Sequence, residues 1–238
     1  MGKDEHLEIW REVWERKGKE PCDKKLADLI RLDGFDKGAG KMTEEIWLRT
    51  AGVIRKELEL QKGDHLLEVG CGSGAMLLPL SKVNIQIAGI DYSESLIKVA
   101  QTAIPDATFK VAEARSIPFA DGTFSKVFLH SVFQYFSDLE YAEEVLREMR
   151  RVLQVTGKIL IMDVPDTAKK ETSESERLQA GSTPPPGGNS AYTHLYYDKS
   201  FFEDFAKTEN MKVKIFDQNI KEYGNSPFRF NVLLWRDK

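Results

Sequence analysis

The stretch Leu66-Leu67-Glu68-Val69-Gly70-Cys71-Gly72-Ser73-Gly74 has the residue types and spacing of a ligand-binding turn. Its first half is an apolar run that reads as a buried strand. Its second half places Gly70, Gly72 and Gly74 at alternate positions. There the missing Cβ and the freedom to take positive φ let the backbone approach a ligand closely. Ala75-Met76-Leu77-Leu78 resumes at helical spacing, so the turn is expected to open a helix over 74–82. Free N–H groups and a partial positive charge at the start of that helix would point back at the turn. Such a turn fits a nucleotide-like site, and also fits a tight turn with no ligand.

Acidic residues in step with the turn sharpen this reading. Glu68 stands two places before the first glycine, Asp91 ends the apolar run 85–90, and Glu113 follows the run 107–111. Ligands of an open parallel sheet bind across the carboxyl ends of its strands. The three carboxylates are therefore expected to face one crevice. Loops at strand ends are often acidic, so it is the coincidence with the glycine turn that gives the pattern weight.

The elements that must position these residues alternate along the chain. Strands are expected at roughly 65–69, 85–90, 107–111, 124–129 and 157–162, and helices at roughly 74–82, 94–103 and 139–153. That alternation implies a parallel sheet with helices on both faces. Thr43, with Glu44 and Glu45 behind it, reads as the N-cap of a helix carrying Trp47, Ala51, Ile54 and Leu58. Near the end, a helix at 198–208 leads into two antiparallel strands, 212–216 and 228–235. The expected fold is α/β: a doubly wound, mostly parallel seven-stranded sheet with an antiparallel final strand.

Two further segments are expected to cap that sheet. Residues 1–42 hold amphipathic helices at 4–17, with Leu7, Trp10, Val13 and Trp14 at helical spacing, and at 23–32. The tryptophans fit surface packing, or a part in closing a pocket. Residues 43–238 form the main domain, and 164–197 is an insertion within it. Ser182-Thr183-Pro184-Pro185-Pro186-Gly187-Gly188-Asn189 can be neither regular helix nor central strand.

Composition excludes several classes. With 238 residues, 41% of them hydrophobic, the chain can bury one sizeable core. A net charge of −4 argues against a phosphate-backbone binder, so no nucleic-acid partner is expected. Cys22 and Cys71 cannot build a disulfide framework, which suits a reducing compartment. No apolar run has the length of a membrane span and the first residues are polar, so a cytoplasmic protein without a membrane partner is expected. No His/Cys/Asp spacing suggests a metal site.

Over roughly residues 43–238 the sequence resembles the class I S-adenosylmethionine-dependent methyltransferases. The resemblance rests on Glu68–Gly74, on Gly89-Ile90-Asp91-Tyr92-Ser93, on Ala112-Glu113-Ala114-Arg115-Ser116-Ile117-Pro118-Phe119, and on Phe124–Ser131, in that order. It implies S-adenosyl-L-methionine as cofactor. Gly70, Cys71, Gly72 and Gly74 would then meet its methionine part, with Glu68 near the amino group. Asp91 would accept from both ribose hydroxyls, Tyr92 and Ser93 would follow it along the adenosine, and Tyr92 would lie against the adenine. Glu113 and the Ala114 backbone would read the adenine edge, and His130 would sit beneath the sulfonium. The family usually has Gly-Asp where this chain has Ala112-Glu113, and often an aspartate at Ser125; Val155-Thr156-Gly157 keeps one glycine of the usual Pro-Gly-Gly turn.

The implied reaction moves a methyl group to an oxygen or nitrogen of a small-molecule acceptor. That acceptor must also lose a proton, for which histidine is suited near neutral pH. His194 is the candidate base, needing no large pKa shift there, and His130 is its rival. His6 and His65 read as structural or solvent-facing. Gln134, Tyr135, Tyr192 and Tyr196 are the candidates for the acceptor side, although aromatic stripes are more often core. An NAD-type oxidoreductase and a non-catalytic nucleotide-binding protein are the competing classes. The spacing Gly70-x-Gly72-x-Gly74 and the closing antiparallel strands stand against a dinucleotide enzyme.

Overall fold

A computed structural model describes residues 3–180 and 194–236. Seven strands form one sheet: β1 His65–Val69, β2 Gln86–Asp91, β3 Thr108–Val111, β4 Phe124–His130, β5 Leu153–Pro165, β6 Lys212–Asp217 and β7 Arg229–Trp235. Their order is β3-β2-β1-β4-β5-β7-β6. Every adjacent pair is parallel except those made by β7, which runs antiparallel between β5 and β6. The sheet is thus the mostly parallel one expected, with its antiparallel final strand. The chain winds outward from β1 to one edge and from β4 to the other, so the topological switch lies between β1 and β4.

Successive strand residues divide between two layers, as the period of a pleated strand requires. Leu66, Phe128 and Leu160 face a layer built by helices α2 (Leu26–Leu32), α3 (Glu44–Glu57), α4 (Leu77–Leu80) and α5 (Glu94–Ala103). Leu67, Val127, Ile159 and Ile161 face the other layer, built by α6 (Leu139–Val152) and α8 (Lys199–Thr208). In α6 the buried residues Tyr141, Ala142, Val145, Leu146, Met149 and Val152 follow the 3.6-residue period. Side-chain caps start the helices where polar residues precede them. Thr43 accepts from the Ile46 amide, Ser93 from that of Leu96 and Asp138 from that of Tyr141.

Several elements differ from the sequence reading. The helix expected over 74–82 is only Leu77–Leu80. Gly72 and Gly74 take φ of +51° and +82°, left-handed conformations that cannot continue into a helix, so the chain turns through 76 before it winds. The N–H groups beside the turn therefore belong to the turn itself, and the helix-dipole argument does not apply. Strand β5 is longer at both ends than 157–162, and a register shift between Ile161 and Val164 leaves Asp163 at φ +64°. The polar stretch after β5 forms α7, Lys170–Gln179. At the N-terminus α1 is Lys3–Lys17, while α2 starts at Leu26 rather than 23. The proline-rich stretch and Tyr192 lie outside the described residues. Among the described residues no helix is long and apolar enough to cross a membrane.

Phe128 is fully buried at the centre of β4. Phe128→Ala is expected to destabilise the protein by about 3–5 kcal/mol, read as a lower urea midpoint at unchanged slope.

Candidate active site

A cleft of about 850 Å³, its open mouth included, lies across the carboxyl ends of the parallel strands. Glu68, Gly70, Cys71 and Gly72 reach it from the end of β1, and Asp91 and Tyr92 from β2. Ala112 and Ala114 follow β3, while His130, Ser131 and Val132 follow β4. From the N-terminal segment and α3 come Leu7, Trp14, Asp33, Phe35 and Trp47. Met76, Leu96, Tyr135, Phe136 and Tyr141 complete the wall.

Backbone hydrogen bonds explain why the glycine turn takes its shape. The amides of Gly70 and Cys71 both donate to the Ile90 carbonyl, at 2.8 and 2.9 Å, which ties the turn to β2. Asp91 accepts from the Gly72 amide at Oδ2 and from the Ser93 amide at Oδ1, each at 2.9 Å. A Cβ on Gly70 would fall 2.6 Å from Val132, and one on Gly72 would fall 2.5 Å from Asp33 Oδ1. Both glycines are at positive φ, so their conformations and their surroundings both exclude a side chain. Gly74 turns the chain instead against Ala100 in α5 and is not part of the wall.

The cleft is acidic, but its three carboxylates are not the three read from strand ends. Glu68 and Asp91 are there. Glu113 points away, its oxygens held 3.0 Å from Arg11 and 3.0 Å from Arg115. It stands two residues beyond β3, where the backbone has left the sheet register and two arginines are within reach. Asp33, from the loop after α2, takes the third place and accepts from the Ser73 amide at 2.7 Å. Burial is the main reason all three resist ionisation. It raises Asp33 to about 7 and Asp91 to about 6, and Glu68 rises well above the usual carboxylate range. Neighbouring negative charge adds to each shift. Glu68 Oε2 is buried and has no hydrogen-bond partner among the described residues.

Of the two candidate histidines, the structure brings one to the cleft. His130 stacks on Phe35 with ring centroids 5.7 Å apart and meets the edge of Trp47 at 5.4 Å. Its Nε2 is buried without a partner among the described residues, and burial lowers its pKa, against a smaller upward pull from Asp163. Trp47 is itself fixed, its indole N–H donating to the Ala75 carbonyl at 2.9 Å. His194 lies behind the wall, in edge contact with Tyr135 at 5.5 Å. Its Nδ1 is 2.8 Å from Arg177 Nη1. Burial first, and then the charges of Arg177 and Arg229, push its pKa well below 6.5, which corrects the expectation of an unshifted base.

The remaining candidates divide in the same way. Tyr135 is in the wall, packed on Trp10 at 4.5 Å and Trp14 at 5.5 Å. Gln134 is buried beneath it and donates to the carbonyl and hydroxyl of Ser131, each at 2.8 Å. Tyr196 packs away from the cleft, 3.5 Å from the Ser173 hydroxyl. Ser93 caps α5 and contributes through its amide on Asp91, while its hydroxyl donates to Glu15 at 2.9 Å. Ser125, where an aspartate is often found, donates to Asp64 at 2.7 Å and so leans on one instead. Asp33 and Phe35 carried no signal in their spacing, and Trp47 signalled only a helix, because all three reach the cleft through the tertiary fold and not along a strand. No group of His, Cys, Asp and Glu among the described residues could hold a metal ion.

Known proteins resemble the chain in sequence and in fold. Residues 67–161 match a family model described as a methyltransferase domain. A demethylmenaquinone methyltransferase from Thermotoga maritima is 33% identical over 109 residues, 45% of this chain and 46% of that protein. The 27-O-demethylrifamycin SV methyltransferase of Amycolatopsis mediterranei is 28% identical over 146 residues, 57% and 52% of the two chains. A solved structure of phosphoethanolamine N-methyltransferase 1 from Haemonchus contortus, with phosphoethanolamine and S-adenosylhomocysteine, superposes with a TM-score of 0.72. It is 14% identical and covers 98% of this chain and 49% of that one, a likeness of fold. The chain spans about half the length of the curated relatives it matches. Residues 67–161 are thus similar to a methyltransferase domain, and they lie in a mixed seven-stranded sheet with its glycine turn, as the resemblance to the class I S-adenosylmethionine-dependent methyltransferases implied.

The residues present fit that cofactor. A buried carboxylate oxygen without a partner, a cradle that a Cβ would fill, and three carboxylates together suit a ligand carrying an ammonium and a sulfonium.

Folded-state pKa values above the unfolded ones mean that ionisation of Asp33 and Asp91 favours the unfolded chain. Stability from these groups is full below 3.8 and is lost as pH rises through about 6 and about 7. Asp33→Asn removes one of these losses. Without ligand, its Tm relative to wild type is expected to rise between about pH 4.5 and about pH 7.5, followed by calorimetry.

Proposed function

We propose that the chain transfers a methyl group from S-adenosylmethionine to an oxygen or nitrogen of a small-molecule acceptor. The observation that carries the reading is the division of the cleft. Its carboxylates gather around the glycine turn, and aromatic rings form the wall facing them. Bound S-adenosylmethionine supplies a methyl group on a sulfonium, open to in-line attack by an acceptor lone pair.

The chain's own residues then position and exclude. Glu68 offers its free Oε2 to the cofactor's ammonium, and Asp33 adds a second negative group beside it. Asp91, already oriented by two backbone amides, presents its remaining lone pairs to the ribose hydroxyls. Tyr92 and the Ala112 and Ala114 backbone border the adenine. Trp14, Phe35, Trp47 and Tyr135 keep water from the reacting atoms. Positioning of this kind is worth up to roughly 7–11 kcal/mol in favourable cases. His130, rather than His194, is the base in this reading. It stands in the wall, and its lowered pKa keeps it neutral and able to accept a proton at neutral pH. The N-terminal helices and the insertion 164–197, whose described residues Arg177 and His194 stand behind Tyr135, serve as the cap over the acceptor.

Calorimetry is expected to show binding of S-adenosylmethionine and S-adenosylhomocysteine and none of NAD; the reverse result would refute the proposal. Asp91→Ala should weaken S-adenosylhomocysteine at least about tenfold, since hydrogen bonds to a charged group are worth about 1.5–3 kcal/mol each. His130→Ala should lower kcat about 10²-fold or more while cofactor affinity changes by less than about threefold. In the wild type the acid limb of the rate profile should fall below pH 6.5, where the lowered His130 pKa lies.

A further inference from the structure

Beyond Tyr135 the structure gathers basic side chains that none of these roles uses. Arg229 begins β7 and is 1% exposed. Its Nε stands 3.7 Å from Asp163 Oδ1, longer than a hydrogen bond. Both Nε and Nη1 are buried without a partner among the described residues. Asp163 has partners enough: the hydroxyls of Ser131 and Tyr223 at 2.7 and 3.0 Å, and the Gln218 amide at 2.8 Å. Neutral donors have taken the carboxylate, and the guanidinium is left with N–H groups to spare.

A second guanidinium comes from the insertion. Helix α7 packs against the turn at 226–228, just before Arg229. Among the described residues the partner of Arg177 there is the ring of His194 and not a carboxylate. Because burial and the two arginines hold His194 neutral, it offers Arg177 one acceptor nitrogen and no charge. The charges of Arg177 and Arg229 also reach the Tyr135 hydroxyl, where they oppose the larger upward push of burial on its pKa. Tyr135 is common to the cleft and to this cluster. The carboxylates around the glycine turn line the cleft itself, whereas the two guanidiniums stand outside its lining, behind Tyr135. Planar guanidinium forks match carboxylate and phosphate oxygens in pairs.

We propose that Arg177 and Arg229 anchor an anionic group, a carboxylate or a phosphate, on the methyl acceptor, whose reacting atom lies in the cleft beside His130. This rests on the methyltransferase reading and adds the acceptor's chemical class to it.

The test uses the full chain saturated with S-adenosylhomocysteine and follows tryptophan fluorescence, since Trp10 and Trp14 pack on Tyr135. Inorganic phosphate, benzoate and the neutral isostere benzamide are titrated in turn, at constant ionic strength. At least one anion is expected to bind at least about tenfold more tightly than benzamide, and which of the two does so identifies the group. Arg177→Gln, at a partly exposed position, should weaken that anion at least about tenfold and leave S-adenosylhomocysteine affinity within about twofold. Arg229→Lys should weaken it as well, retaining the charge but not the fork. Benzamide binding as tightly as either anion, no binding of either anion, or an Arg177→Gln protein that binds them normally would overturn the proposal. Failure of S-adenosylhomocysteine itself to bind would instead overturn the methyltransferase reading.

Discussion

Three carboxylates in one poorly solvated cleft are the constraint on which the rest of this structure depends. Burial raises the pKa of Asp33, Glu68 and Asp91, and nearby negative charge adds to it: Asp91 acts on Asp33, both aspartates act on Glu68, and Glu15 acts on Asp91. Left to itself such a cluster favours protonation or unfolding. The fold tolerates it by giving Asp91 two amide donors and Asp33 one, while leaving Glu68 Oε2 with none. In the proposed reading, the acceptor left open at Glu68 is the one that the ligand's ammonium takes. A cationic ligand then relieves a cost that the empty protein carries, and its binding is coupled to folding by ordinary linkage.

The same constraint explains why the N-terminal segment is more than a surface element. Asp33 grips the Ser73 amide in the turn after β1, and Glu15 accepts from the Ser93 hydroxyl and the Ser95 amide at the start of α5. Both contacts fall on loops that leave the carboxyl ends of the first two strands. Trp14 and Phe35 then lie over the cleft they border. Exposed ion pairs such as Arg11 with Glu113 add little to this docking. The buried aromatic packing and the hydrogen bonds to backbone amides carry it.

Much of this was legible in the sequence, for physical reasons that also set the limit. The sheet could be read because buried strands and amphipathic helices impose periods on residues adjacent in the chain, as in Leu66–Val69 and in α6. Gly70, Gly72 and Asp91 could be read because a close backbone approach and a strand-end acceptor are local requirements. Asp33 and Phe35 could not, since the loop that holds them has no period and reaches the cleft only after the chain has folded. Glu113 failed for the converse reason: its position in the chain was right, but a few ångströms beyond the strand its charge found two arginines. His194 shows the same limit, because its basicity is lowered first by burial and then by Arg177 and Arg229, none of which its neighbours in sequence reveal.

Backbone strain marks the ends of β4 and β5, between His130 and the buried Arg229. Ser131 and Asp163 are both non-glycine residues at positive φ, +57° and +64°, and their side chains hydrogen-bond to one another at 2.7 Å. Left-handed backbone at such residues persists only where the surroundings fix it, and here they do. Gln134 holds Ser131 from one side, and Tyr223, Gln218 and Asn231 hold Asp163 from the other. The β5 bulge is what turns Asp163 into this network and out of the strand ladder. One continuous set of buried hydrogen bonds thus runs from the floor beneath His130 to the residues surrounding Arg229. Ser131 and Asp163 are each fixed by more than one partner, and that holds the ends of β4 and β5 together beside His130 and Arg229.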